Sequence, residues 1–166
     1  MKEIVIKVSI LIIVLMSFRC SIVAGQQIEY NEYESKLQLP ETKAIEKRAL
    51  ELINDYRVKQ GLNILLPLPI IKSVAHHHTQ HMIGAELLSH NGWEQRNQYL
   101  KWKTGATKRG ENVAQGYVTV EGMVNAWLNS EGHHKTIVGQ WTHSDICIVV
   151  SKNGIWWATH IFIENI

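Results

Sequence analysis

The sequence predicts an α+β fold, a three-layer α/β/α sandwich around a central, mainly antiparallel sheet, and three observations carry that prediction. Two strand-like runs, 146–150 and 155–163, flank Asn153-Gly154, a strong short-range hairpin signal. The second run is apolar on both faces, with Ile155, Trp157, Ile161 and Ile163 on one and Trp156, Ala158 and Phe162 on the other. An antiparallel sheet of that kind needs cover on both sides. Upstream, the chain carries helical periodicity in separate stretches, so the cover is available.

Along the chain, the first element is a targeting segment. Lys2 and Lys7 precede an apolar core, and Ser21-Ile22-Val23-Ala24-Gly25 ends in small residues, the pattern of a secretory signal peptide over residues 1–25. The competing reading, a membrane anchor, needs about 20 apolar residues, more than this core supplies. Nothing later is long and apolar enough for a second membrane segment. Residues 26–41 are polar and read as a mobile leader, and 42–166 as one domain.

From Thr42, Ile45, Ala49, Leu52, Ile53 and Tyr56 form one helical stripe, which Gly61 ends. Pro69 opens a second helix, with Ile71, Val74, Ala75, His78, Met82 and Ala85 on its apolar face. The stretch 95–109 reads as long and polar, anchored by Trp93, Tyr99, Leu100 and Trp102. Residues 111–117 read as a short strand. Thr119 then caps a short helix bearing Val120, Val124 and Trp127.

Removing the signal peptide takes Lys2, Lys7, Arg19 and Glu3 from 17 basic and 15 acidic residues, leaving 14 of each. A neutral mature chain gives no reason to expect nucleic acid as a partner. All nine histidines remain, so its charge rises in mild acid. Cys20 leaves with the signal, and only Cys147 stays, within an apolar run. The secreted domain therefore rests on its core rather than on disulfides.

Two histidine groups stand out. His76-His77-His78 and His81 lie on the second helix, where His77 and His81 share a face. The metalloprotease pattern, however, needs Glu directly after the first of such a pair, and that position is His78. The second group is His90, Glu111 and His133, each at an element boundary and flanked by turn residues. A His/Glu/His set can bind a divalent metal, activate a water, or tie three segments together by hydrogen bonds.

The order of short motifs resembles the CAP superfamily, which comprises cysteine-rich secretory, antigen 5 and pathogenesis-related proteins with bacterial relatives. Asn54-Asp55-Tyr56-Arg57 with Gly61-Leu62 is similar to the family's first helix, and His78-Thr79-Gln80-His81-Met82 to its second. Ser89-His90, Gly110-Glu111-Asn112-Val113-Ala114 and Trp127-Leu128-Asn129-Ser130-Glu131-Gly132-His133 follow in family order. The resemblance implies an α/β/α sandwich and a cleft with His90 and His133 as ligands for zinc or another divalent ion. It implies Glu111 as one cleft acid and a structural role for His78. Where animal and plant members carry a second acid, this chain has Ser130, with Glu131 beside it. The bacterial pattern W-x-x-S-P-G-H fits better, as does the lack of disulfides.

Three functions follow as expectations. One is a secreted, extracellular, non-enzymatic binding module whose metal-capable cleft (His90, Glu111, Ser130, Glu131, His133) captures a small ligand, a lipid or sterol among the options, or an extracellular protein. The second is a metal-assisted hydrolase with Glu111 as the catalytic general base. The third makes the His/Glu/His set a structural knot.

Overall fold

The computed structural model describes residues 40–164. The expected signal peptide and nearly all of the leader lie outside the described residues. The elements run α1 (Pro40–Lys59), α2 (Pro69–Ala85), α3 (Trp93–Thr104), β1 (Lys108–Gln115), α4 (Val120–Leu128), α5 (Glu131–Ile137), β2 (His143–Val150) and β3 (Trp156–Glu164). The sheet has the order β1-β3-β2, and both pairings are antiparallel. The α+β sandwich predicted from two apolar strand faces is the fold observed.

Each face has its own cover. On one, Ala114, Ile146, Ile148, Ala158 and Phe162 pack with Ala49 and Ile53 of α1, Met123, Val124 and Trp127 of α4, and Ile137 of α5. On the other, Val113 and Trp157 meet Met82 of α2. Alternation along β1 and β3 therefore sends successive residues into different layers.

Local chemistry sets the element ends. Helix α1 stops in a Schellman turn, in which Leu62 N–H donates to Arg57 O at 2.9 Å, Gly61 N–H donates to Val58 O at 2.9 Å, and Gly61 takes φ +73°. Thr119 caps α4 as expected, its hydroxyl accepting from Gly122 N–H at 3.1 Å. Gly154, at φ +75°, closes the β2–β3 connection with a 2.9 Å bond to Ser151 O. Ser151 N–H donates to Ile155 O, so Asn153-Gly154 belongs to a three-residue loop rather than a two-residue turn.

Most of the stretch expected to be polar, 95–109, is the helix α3 and its end already belongs to β1, and of its four expected anchors only Leu100 is fully buried. Trp102 is 60% exposed and carries the Lys103 ammonium over its ring. Helix α5 was not anticipated either. It is only seven residues long, too short for a hydrophobic period to declare itself.

The free edge of β2 is closed from both helical layers. Glu46 of α1 accepts from Ile148 N–H at 2.9 Å, and Lys72 of α2 donates to Ile146 O at 2.6 Å. The two side chains pair with each other, so the edge is bridged rather than bare. Further along, Leu66 exchanges backbone bonds with Thr142 and Ser144. Nearby Cys147 is buried against His76 Nδ1 at 3.3 Å, and burial pushes its thiol up to about 12. It is an inert core group, as its apolar neighbours in sequence suggested.

Candidate functional site

Two of the expected residues, His90 and Glu111, meet at the other edge of the sheet, along β1, and His133 is tied to the same strand from the opposite layer. Glu111 projects from β1 toward α2, and its side chain is almost fully buried. His90 comes from the α2–α3 connection and donates from Nδ1 to Glu111 Oε1 at 2.8 Å. From the opposite layer, α5 brings His133, whose carbonyl accepts from Asn112 Nδ2 at 3.1 Å. Burial first, then the proximity of His90, lowers the His133 pKa.

Glu111 has a partner that sequence reasoning missed. Arg96 of α3 clamps it bidentately, Nε to Oε2 at 2.9 Å and Nη2 to Oε1 at 2.7 Å. The same guanidinium donates from Nη1 to Asn91 O at 2.7 Å, which fixes the turn that presents His90. Arg96 also lies 5.8 Å from the Trp93 ring centroid. One signal was available: a carboxylate read into a strand of a sheet covered on both faces calls for a cation, and the nearest basic side chains lie in the polar stretch upstream.

His78 completes the knot. Its Nε2 donates to Ser89 O at 2.8 Å and sits 3.9 Å from Glu111 Oε1. Burial first, then the Arg96 charge, lowers its pKa to about 4, so the ring is neutral at physiological pH. Burial alone would raise the Glu111 pKa. The hydrogen bonds from His90 and Arg96 overrule it and hold the carboxyl below its ordinary value.

These facts limit what the site can do. A general base for neutral pH wants a pKa near 7 and a free lone pair on the reacting side. Glu111 is held ionised, with both oxygens engaged. His90, 52% exposed, keeps Nε2 outward once Nδ1 is bound to the carboxylate. His133 pairs Nδ1 with Ser130 Oγ at 3.0 Å, and burial lowers its pKa. Ser130 therefore belongs to the site as the orienting partner of His133. Glu131 opens α5 on the exposed surface and does not join the cluster.

Among the described residues no group of three His, Cys, Asp or Glu side chains is placed to hold a metal ion. The residues present offer two imidazole Nε2 atoms, short of the three or four protein ligands of ordinary zinc sites. The His76–His81 cluster is dispersed: His76 and His78 are buried in separate contacts, and His81 stacks on His78 at 6.1 Å.

A separate cavity of about 500 Å³ lies at the far end of β1. Ile83, Ile155 and Trp157 give it an apolar wall, and Glu86, Gln115 and Lys152 a polar rim. None of the expected cleft residues lines it. Glu86 ends α2 in the left-handed region at φ +51°, the one non-glycine residue described with positive φ. Among the described residues no helix is long and apolar enough to cross a membrane.

The fold and motifs have known counterparts. The chain is 34% identical over 121 residues to the "Uncharacterized protein YkwD" of Bacillus subtilis, covering 68% of this chain and 45% of that one. It spans less than half the length of the curated relatives it matches. Its fold is similar to an outer surface protein from Borrelia burgdorferi, with TM-score 0.67 and 20% identity over 78% of this chain and 97% of that one. An extracellular protein containing an SCP domain from Bacillus anthracis gives TM-score 0.64 and 24% identity, over 78% and 45% of the two chains. The model of the cysteine-rich secretory protein family, CAP, matches residues 50–158, and the chain belongs to that family.

Proposed function

We infer that this protein is a secreted, extracellular binding module without chemistry of its own, and that the cavity at the far end of β1 receives a small, partly apolar ligand. The observation that carries the non-enzymatic reading is the double commitment of Glu111 to Arg96 and His90. A carboxylate so engaged is a poor general base, which supports the knot over the hydrolase reading. The cavity volume is in the range of small-molecule sites, and its apolar wall with a charged rim suits an amphiphile such as a lipid. A divalent ion, if one is bound, would be held by the Nε2 atoms of His90 and His133 with solvent completing its shell. Affinity would then be weak.

The test is a binding series with fatty acids and sterols on wild type, Ile83→Trp and His90→Ala. Saturable binding abolished by the tryptophan and unchanged in His90→Ala is expected. Binding that survives Ile83→Trp but needs His90 would move the ligand to the β1 edge. Zinc calorimetry on wild type beside the His90→Ala/His133→Ala double variant tests the ion separately.

A further inference from the structure

Among the described residues, four buried side-chain atoms have no hydrogen-bond partner: Arg57 Nη2, Ser144 Oγ, and both ring nitrogens of His160. They belong to one layer of the molecule. Ser144 pairs with Phe162 and Ile146 with His160 in the β2–β3 register. Paired residues of antiparallel strands share a face, so Ser144 and His160 are diagonal neighbours on it. That face is covered by α1, since Ile146 and Phe162 share a core cluster with Ala49 and Ile53. Arg57 lies one helical turn beyond Ile53. Its Nη1 reaches Ile137 O at 2.6 Å and Gly139 O at 2.8 Å, and Trp141 just downstream packs on Phe162 at 6.1 Å.

The polarity of these atoms selects the ligand. Arg57 Nη2 only donates, Ser144 Oγ can do both, and a neutral imidazole offers one donor and one acceptor. Burial, with the Arg57 charge second, takes His160 down to about 3, so the ring is neutral. An anion accepts but cannot donate, and would leave the acceptor nitrogen of His160 unmet. Water does both, and native proteins satisfy buried polar atoms with ordered water where protein groups do not reach.

We propose that the layer between α1 and the sheet contains an internal hydration site, in which ordered water bridges Arg57 Nη2, Ser144 Oγ and the His160 ring. The same layer is tied to the β1 edge. The Trp127 ring stands between His160, at 6.0 Å, and His133, at 6.3 Å. Its Nε1 donates to Val113 O at 3.2 Å, so this one ring links the layer around His160 to β1 and to His133.

Two full-length variants and one diffraction experiment test it. His160→Leu keeps the approximate volume but strips the ring's hydrogen bonds, whereas His160→Gln keeps a donor and an acceptor. With water present, Leu lowers Tm and Gln lowers it less. In a dry layer, Leu removes two orphaned nitrogens and raises Tm. A high-resolution crystal structure of the wild type should show a solvent peak about 2.7–3.2 Å from Arg57 Nη2 and from Ser144 Oγ or the ring. No peak there, a peak that turns anomalous after a bromide soak, or a Tm gain in His160→Leu would overturn the proposal.

Discussion

The two edges of the sheet are both closed by charge, in different ways. On β2, Glu46 and Lys72 come from opposite helical layers, meet each other, and spend their remaining bonds on strand backbone. On β1, the strand supplies its own carboxylate, Glu111, and α3 supplies the cation, Arg96. The first arrangement seals an edge. The second leaves His90 half exposed on the rim, with His133 held beside Ser130 in the opposite layer. A family fold can thus reserve one edge for stability and present side chains along the other.

Breaking the β1 pair should have the largest effect. Arg96→Met leaves Glu111 buried without its cation and releases Asn91 O, and should cost about 3–5 kcal/mol by chemical denaturation. Arg96→Met/Glu111→Met should recover much of that loss. If the single variant costs under about 1 kcal/mol, the clamp is not what holds this edge. Next comes Lys72→Met on the β2 edge. It should cost about 3 kcal/mol without altering the environment of His90, readable from its imidazole NMR signals. A shift at His90 would mean the two edges are coupled through the sheet.

Acid should act on both edges and on the layer between. His76, His78 and His160 have folded pKa values of about 4, 4 and 3 against an ordinary 6.5, and burial is the leading cause in each. Between 6.5 and those values the unfolded chain binds more protons, so stability falls as pH drops through this window. Asp145 works the other way. Burial raises it to about 6, and its protonation below that pH favours the fold. Three groups against one predict a falling Tm from pH 6.5 to 4. A flat profile would show that the three rings are not held neutral. The smallest effect is His90→Ala, about 1 kcal/mol for a half-exposed bond to Glu111. A larger loss would make His90 part of the frame rather than the rim.

What the sequence disclosed follows from where apolar side chains point. The hairpin, the cap at Thr119 and the stripes of α1 and α2 were legible because their inward faces are apolar at a regular period. Helix α3 was hidden because its buried residues are Leu100 and a charged one, Arg96, while Trp102 faces solvent. The contact between His90 and Glu111 could be anticipated from motif order. The clamp that fixes Glu111 was harder to read: a strand carboxylate asks for a cation, but an arginine in a polar stretch looks like a solvated residue until its partner is placed. Likewise the cavity at Trp157 is built from α2, β1 and the β2–β3 loop, and no single segment announces it.

Cys147 has one further use. A chain starting after residue 25 has no other thiol, and this one is buried with its pKa near 12. A thiol-reactive probe can reach it only when the sheet opens, so the labelling rate counts opening events in native buffer. The molecule carries its own clock for unfolding, readable by mass spectrometry without denaturant, on which every variant above can be ranked.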